Sequence, residues 1–153
     1  MSSAEHGPSA DHDGLLAKFT QVFANDDLPL LYSIIADDCE WSIMATGEHF
    51  KGVAAIRVLN DKVQAARGHS DDAHVHIKES FRSEDRLCIE FLHRGVVKQG
   101  FSSDPDRPAE GSVFEIDFCA TALVRDGRIV RVREYFDHTQ FATPPEKRVK
   151  FFS

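Results

Sequence analysis

The spacing of apolar residues changes once along this chain, and that change constrains the fold more than any other feature. As far as Arg67-Gly68, apolar side chains recur at intervals of three and four residues, as they do on one face of an α-helix. Beyond Gly68 they alternate with polar residues, as in strands that have one buried face. Helices followed by a meander of strands favour an α+β fold, in which the helices pack on one face of an antiparallel sheet.

The helical part predicts three helices. Asp13 is the expected N-cap of the first helix. The second is expected to start near Asp27, with Pro29 in its first turn, and to end at Asp37-Asp38. The third is expected to end at Arg67-Gly68, with the glycine as C-cap. The predicted buried stripes are Leu15, Leu16, Phe19, Val22 and Phe23 in the first helix, Leu30, Leu31, Ile34 and Ile35 in the second, and Val53, Ile56, Leu59, Val63 and Ala66 in the third.

Five strands account for the rest of the periodic sequence. They are Cys39–Met44, Ala73–Phe81, Arg86–Lys98, Ser112–Val124 and Arg128–Asp137. The segment Ala45–Gly52 is expected to be a loop. The chain length of 153 residues fits one domain. We therefore expect a disordered tail over residues 1–11, one domain over 12–141 and a C-terminal tail over 142–153.

Alternation along the strands assigns their inner faces. The predicted inward side chains are Trp41 and Ile43, then Ala73, Val75 and Ile77, then Leu87, Ile89, Phe91 and His93, then Phe114, Ile116, Phe118 and Ala120, and finally Val130, Val132, Glu134 and Phe136. His93 and Glu134 are the two polar interruptions of this apolar surface. An apolar cavity with a few convergent polar groups is the usual form of a small-molecule site.

The inward direction of Glu134 depends on the hairpin before the last strand. A regular hairpin with a two-residue Asp126-Gly127 turn would place Arg131 and Arg133 on the inner face, where unpaired charges are costly. A three-residue loop with Gly127 in a bulge instead pairs Phe118 with Glu134 and keeps both arginines outside. The sequence therefore predicts the bulged loop.

Bulk properties exclude several classes of protein. The net charge of −7 argues against a nucleic-acid partner or an anionic membrane surface. No segment approaches the roughly 20 apolar residues of a membrane span. Three cysteines without a close pair, together with a polar N-terminus that lacks a secretion signal, predict a reduced, cytoplasmic location.

Neither a cofactor nor a metal ion is predicted from these motifs. His74 and His76 stand two residues apart on an outward face, but no third ligand accompanies them, so we interpret them as solvated. Asp137 ends the last strand and is expected to cap the turn that follows.

The order of the predicted helices and strands, together with two sequence motifs, resembles the SnoaL-like branch of the nuclear-transport-factor-2-like superfamily. This branch includes polyketide cyclases, ketosteroid isomerases and limonene epoxide hydrolases. The two motifs are Phe50-Lys51-Gly52-Val53, entering the third helix, and Asp126-Gly127-Arg128-Ile129, running into Arg133-Glu134-Tyr135-Phe136-Asp137. The resemblance covers roughly Leu15 to Phe141. It implies a cone of three helices packed on a strongly curved, mainly antiparallel sheet that encloses an apolar cavity, commonly in a homodimer.

The resemblance carries chemistry over only in part. The ketosteroid isomerase base falls at Ile43, its oxyanion tyrosine at Phe19 and its neutral aspartic acid near Ala120, so that mechanism is not expected. Among the groups of limonene epoxide hydrolase, the acid of the last strand falls at Glu134. The positions of its other groups fall at Trp41 and Ile43 and near Phe91 and His93. The acid is therefore the only one of these groups whose chemical type is retained here.

Glu134 and His93 are the predicted catalytic residues. Burial in an apolar cavity is expected to raise the pKa of Glu134, and a carboxylate with an imidazole can shuttle a proton in an elimination, isomerisation or aldol cyclisation. The expected binding residues for a hydrophobic small molecule are Phe19, Trp41, Ile43, Phe91, Ile116, Phe118, Val132 and Phe136.

The resulting hypothesis is a SnoaL-like, cofactor-free lyase, isomerase or cyclase that forms a homodimer through its outer sheet face. Three alternatives stay open. One is a binding module with an inert Glu134, one is water addition of the epoxide-hydrolase type, and one is an interaction module that uses the outer sheet face.

Overall fold

The computed structural model describes residues 8–67, 70–97, 111, 113–141, 143 and 145–152. The described residues form three helices and a six-stranded sheet. Two helices precede the first two strands, the third helix precedes the other four strands, and two 3₁₀ turns follow the last strand. The helices are α1 (Pro8–Asn25), α2 (Leu28–Ile34) and α3 (Val53–Arg67). The strands are β1 (Ile35–Ile43), β2 (Glu48–Lys51), β3 (Ser70–Ser83), β4 (Arg86–Val97), β5 (Val113–Arg125) and β6 (Arg128–Phe136). The 3₁₀ turns are His138–Phe141 and Pro145–Lys147.

The sheet has the strand order β2-β1-β6-β5-β4-β3. Every neighbouring pair is antiparallel except β1 and β6, which run parallel. Helix α1 packs against β3, and α3 packs against β1, β2 and β3, so the helices cover one face of the curved sheet. This arrangement confirms the predicted α+β cone, with helices over a curved, mainly antiparallel sheet.

The helices differ from expectation at their ends. Helix α1 begins at Pro8, so Asp13 lies inside it rather than at its N-cap, and residues 8–11 of the expected tail are helical. Residues 1–7 and the expected C-cap Gly68 lie outside the described residues. Asp27 caps α2 as predicted, because its side chain accepts a hydrogen bond from the Leu30 N–H at 3.1 Å.

Helix α2 ends earlier than expected. It stops at Ile34, and the chain extends into β1 from Ile35 onward, through Asp37-Asp38. Ile35 is β-branched and pairs with Ile129 of β6. It therefore belongs to the sheet, although the spacing of apolar residues had predicted it to be helical.

The segment predicted as the loop Ala45–Gly52 contains a sixth strand. Residues Glu48–Lys51 form β2, a short edge strand that pairs with β1 through Trp41 and Phe50. Four residues with little apolar alternation carry no strand signal of their own. The strand exists because β1 offers it a hydrogen-bonding partner.

The hairpin between β5 and β6 corrects the predicted register. Its turn has two residues, Asp126 and Gly127, both at positive φ (52° and 74°), and Arg125 pairs with Arg128. The bulge lies two residues later, because Val124 pairs with Ile129 but Leu123 pairs with Arg131.

The displaced bulge leaves Val130 as the extra residue. Ile129 therefore replaces Val130 on the inner face, while Val132, Glu134 and Phe136 keep their predicted direction. Glu134 pairs with Ala120 rather than with Phe118.

The apolar core lies between the helices and the inner face of the sheet. Its fully buried members include Phe19, Ile56, Ile89, Ile129 and Val132. Cys39 is buried there as well, and burial, with the nearby charges of Asp38 and Glu40, raises the pKa of its thiol to about 12. Among the described residues, no helix is both long and apolar enough to cross a membrane.

The outer face of the sheet carries ion pairs and two neighbouring thiols. Arg94 contacts Glu115 at 3.0 Å, and Lys78 contacts Asp117. Arg133, on the same face, lies opposite Thr121. The sulfur atoms of Cys88 and Cys119 are 3.6 Å apart, and Cys88 has a pKa raised to about 12 by burial and by its contact with Cys119.

The turn before β6 gives the first prediction. Gly127 has a φ of 74°, so Gly127→Ala should lower the free energy of unfolding by about 1–2 kcal/mol, because an L side chain is strained there. Urea unfolding monitored by circular dichroism measures this change.

The matched control is Gly14→Ala, inside α1, where an added Cβ meets nothing within 4 Å. That substitution should raise the free energy of unfolding by about 0.5–1 kcal/mol. Equal effects of the two substitutions would contradict the positive φ at Gly127.

Candidate active site

A pocket of about 460 Å³ lies between the helices and the inner face of the sheet. Its volume is in the range of pockets that hold small organic ligands. Its walls are mostly apolar. They are formed by Val22, Phe23, Asp26, Leu28, Leu31, Trp41, Ile43, Leu59, Asn60, Val63, Phe91, His93, Phe114, Ile116, Phe118, Glu134, Phe136 and His138.

A row of aromatic rings crosses the floor of the pocket. Phe91 stacks on Phe118 with ring centroids 4.8 Å apart, and Phe118 meets Phe136 at 4.4 Å. Phe23 of α1 closes the row from the helical side, 4.9 Å from Phe91. The three strand residues lie side by side because Phe91 pairs with Phe118 and Phe118 with Phe136. The pocket therefore has a broad aromatic floor suited to a flat apolar skeleton.

Glu134 lines this pocket from the inner face of β6. Its Cα partners are Ala120 of β5 and Ile43 of β1, so small and aliphatic side chains flank the carboxylate on both neighbouring strands. The backbone of Glu134 also closes the end of β1, since its carbonyl accepts from the Met44 N–H at 2.9 Å. An acid is thus held at a defined place in an apolar wall.

His93 lines the same pocket from β4, but in a different row of the inner face. Its Cα partners are Ile116 and Val75, and its ring meets Phe114 edge to face at 5.4 Å. Two strand spacings and four residues along the strand separate it from Glu134. On a flat sheet this separation would be on the order of 15 Å between Cα atoms. The aromatic row lies between the two.

Six of the eight expected binding residues line the pocket: Trp41, Ile43, Phe91, Ile116, Phe118 and Phe136. The other two, Phe19 and Val132, do not. Both are fully buried in the core, Phe19 edge to face with Phe23 at 5.1 Å and Val132 between β1 and β5. An inward direction was predicted correctly for them, but alternation along an element does not distinguish a core position from a cavity wall.

Three polar lining residues were not predicted: Asp26, Asn60 and His138. Asn60 donates to the Tyr32 hydroxyl at 3.0 Å, which fixes its place on α3. It adjoins Leu59 on the predicted inner stripe of that helix, so the helical spacing could have indicated it. Asp26 and His138 lie just beyond the ends of α1 and β6, where no periodic signal exists.

The turn after β6 is capped as expected. One carboxylate oxygen of Asp137 accepts hydrogen bonds from the Thr139 backbone N–H at 3.0 Å and from its hydroxyl at 2.6 Å. These two bonds hold the pKa of Asp137 below its usual value. They also direct the chain into the 3₁₀ turn that brings His138 to the rim of the pocket.

Trp41 differs from the other aromatic residues of the pocket. It is 3% exposed, its ring lies 6.3 Å from Phe23, and it is the only tryptophan of the chain. In the part of the chain that the structure describes, its Nε1 is the one buried side-chain polar atom without a hydrogen-bond partner. Buried polar atoms normally have such a partner.

Metal-binding chemistry has no side-chain cluster within the described ranges. No group of three or more His, Cys, Asp and Glu side chains that could hold a metal ion occurs there. The polar chemistry of the pocket consists instead of single groups set into apolar walls.

The family model of the SnoaL-like domain matches residues 16–132. This match spans most of the chain and includes β1 and most of the inner face of the sheet. The chain therefore belongs to the SnoaL-like domain family. No protein with a curated description matches the sequence.

Solved structures show the same fold. IdmH of Streptomyces antibioticus, a putative polyketide cyclase, is 21% identical with a TM-score of 0.65, over 89% of this chain and 96% of that one. TerC, co-crystallised with polyporic acid, is 20% identical with a TM-score of 0.64, over 88% and 95%. A hypothetical protein of Catenulispora acidiphila with a ketosteroid isomerase-like fold, in complex with trimethylamine, is 16% identical with a TM-score of 0.61, over 83% and 88%.

The pocket wall beside His93, where Phe114 lies, gives the second prediction. Gly95 lies opposite Phe114, and a Cβ at Gly95 would stand 2.6 Å from the tip of that ring and 3.2 Å from the Ala73 Cα. Gly95→Ala should therefore lower the free energy of unfolding by about 1–3 kcal/mol in urea denaturation, because the ring has to move within a packed region.

A double-variant cycle tests the cause of that loss. Phe114→Leu removes the ring, so Gly95→Ala should cost less in its presence than in the unaltered chain. Additive costs would show that the ring of Phe114 is not what restricts position 95.

Proposed function

We propose that this protein is a cofactor-free enzyme that performs acid–base chemistry on a hydrophobic small molecule, as a lyase, isomerase or cyclase. The observation that carries the proposal is Glu134, a carboxylic acid set into the wall of a mostly apolar pocket. A carboxylate held in the wall of a pocket can act as the base toward a carbon acid that is bound beside it.

The reactions that this arrangement suits share one step. Elimination, isomerisation and aldol cyclisation each begin when a base removes a proton from carbon next to an electron-withdrawing group. Glu134 would accept that proton and could return it later at another atom. The aromatic floor formed by Phe91, Phe118 and Phe136 would hold the skeleton flat while the proton moves.

His93 takes a separate part in the proposal. Its row of the inner face is removed from that of Glu134, so it would act at the other end of a bound ligand rather than on the carboxylate directly. A ligand that reaches both residues would then lie across the aromatic row between them. His93 could donate a proton or a hydrogen bond to a polar group at that end.

Related proteins support a small organic ligand. TerC was co-crystallised with polyporic acid, and the Catenulispora protein was solved in complex with trimethylamine, so two proteins of this fold have been crystallised with small molecules. IdmH is described as a putative polyketide cyclase. We take these as support for the ligand class only, since each identity is 21% or lower and fold alone does not choose a reaction.

A second candidate function is a non-catalytic binding module with the same pocket. The separate rows of Glu134 and His93 favour it, because an acid–base pair in direct contact would have been the simplest catalytic arrangement. In that case Glu134 would tune affinity rather than transfer a proton.

The third prediction separates these two functions with a general probe of proton abstraction, 5-nitrobenzisoxazole. A base removes the proton from carbon 3, the nitrogen–oxygen bond breaks, and a nitrile and a coloured phenolate form. The unaltered protein should open this ring faster than an equal concentration of acetate. Glu134→Gln should remove the gain, a loss of about a hundredfold or more, because the amide cannot accept the proton.

The control variant is Glu79→Gln, on the exposed outer side of β3, which should retain the rate. Binding of the unreactive analogue 5-nitrobenzoxazole, measured by calorimetry, should survive Glu134→Gln. Equal rates for the unaltered protein and Glu134→Gln, or no rate above acetate, would contradict the enzymatic proposal and favour the binding module.

We also propose that two copies associate through the outer face of the sheet. No described helix packs on that face, and Tyr135 of β6 is 42% exposed on it, next to half-buried Cys119 and Thr121. A two-fold axis would bring Tyr135 of both copies into the same patch, as a self-complementary interface requires.

The fourth prediction tests this association by sedimentation velocity. The unaltered chain should sediment as a dimer, and Tyr135→Glu should sediment as a monomer, because a charge placed in the interface costs desolvation. Val58→Glu, at a 52% exposed position on α3, should remain dimeric. A monomeric unaltered chain, or a dimeric Tyr135→Glu, would contradict this interface.

The proposed compartment is the cytoplasm. Cys39, Cys88 and Cys119 are all free thiols in this structure, including the two that lie 3.6 Å apart on the outer face. A reducing compartment maintains such neighbouring thiols.

A further inference from the structure

We propose that the indole N–H of Trp41 recognises the ligand by donating a hydrogen bond to one of its oxygen atoms. This assigns the ligand to a narrower class: an apolar or aromatic skeleton that carries a carbonyl or phenolic oxygen beside the position of Glu134. The inference rests on the proposed function only in taking the pocket as the ligand site.

The first support is the state of the Trp41 nitrogen. Within the described ranges, its Nε1 is buried and has no hydrogen-bond partner, although a buried tryptophan usually finds one for this group. Leaving a buried donor without an acceptor is costly in the folded chain. A phenylalanine at position 41 would fill similar space without that cost, so the N–H is explained if an acceptor arrives with a ligand.

The second support is the position of Trp41 relative to Glu134. Trp41 pairs with Val132, and Ile43, two residues on, pairs with Glu134. Trp41 and Glu134 are therefore diagonal neighbours on the inner face, on the order of 8 Å apart between Cα atoms. That separation lets a single functional group of a ligand, with the carbon atoms next to it, lie between the donor and the acid.

The third support is the character of the surrounding walls. The ring of Phe23 lies 6.3 Å from that of Trp41, and Phe91 lies beyond it, 4.9 Å from Phe23. A ligand oxygen needs only the one donor, because the rest of the ligand is apolar and matches the walls.

Access to the nitrogen requires a small movement of the packed rings. Trp41 is 3% exposed, whereas Phe23, which packs on it and lines the same pocket, is only half-buried. In the proposal, the ligand displaces the Phe23 ring as it binds, and the ligand oxygen then meets Nε1. Recognition of the oxygen is thus coupled to filling of the pocket.

The fifth prediction compares two probes of nearly the same shape, benzophenone and diphenylmethane, which differ by a carbonyl oxygen. The unaltered protein should bind benzophenone about tenfold more tightly, as expected for one buried hydrogen bond. Trp41→Phe should bind both probes with equal affinity. Isothermal titration calorimetry measures the four affinities.

The single tryptophan provides a second readout that is independent of affinity. It gives one indole signal in a ¹⁵N-correlated NMR spectrum, and benzophenone should move its proton resonance downfield, while diphenylmethane should not. If Trp41→Phe does not fold, benzothienylalanine in place of the one tryptophan keeps the ring shape and removes the N–H. The carbonyl preference should then be lost.

The outcomes distinguish this inference from the proposed function. A carbonyl preference that persists without the N–H, or an indole signal that benzophenone leaves unmoved, overturns the role of Trp41, even if Glu134 opens 5-nitrobenzisoxazole. A lost preference in the absence of that activity supports recognition by Trp41 in a non-catalytic binding module. An indole resonance already at a hydrogen-bonded position in the ligand-free protein also overturns the inference.

Discussion

The bulge at Val130 is the constraint on which the candidate site depends. The Asp126-Gly127 turn sets β5 and β6 in a register that, continued regularly, would turn Arg131 and Arg133 inward. One extra residue in β6 reverses the alternation and returns Val132, Glu134 and Phe136 to the inner face. A bulge of this kind re-aims side chains without breaking the sheet. Glu134 is therefore directed into the pocket by a local irregularity of the backbone.

The pocket exists because the helices cover the curved sheet without filling the space above it. Core residues such as Phe19 and Ile56 pack tightly between the layers, while Phe91, Phe118 and Phe136 continue the same inner face into open volume. Apolar burial thus provides both the stability of the domain and the walls of the site. Polar groups are few in this region, so each one has a large influence on what can bind.

Two separate polar positions define the chemistry that we propose. Glu134 and the indole N–H of Trp41 are neighbours across the β1–β6 pair, the one parallel pairing of the sheet in the described residues. His93 belongs to another row, on the far side of the aromatic floor. Ligand-binding groups at two ends of one pocket select a molecule by its length as well as by its polarity.

The sequence by itself determined the α+β class, the inward direction of most strand residues and the inward direction of Glu134, because these depend on periodicity and on the cost of burying arginines. Only the tertiary structure decided the place of the bulge, the edge strand Glu48–Lys51 and the division between core and cavity wall. The tertiary structure also decided that Asp26 and His138 line the pocket. All these features depend on contacts between segments that are distant in the sequence. Alternation along one strand predicts which side chains point inward. Whether an inward side chain meets the packed core or the cavity depends on the neighbouring strands and helices.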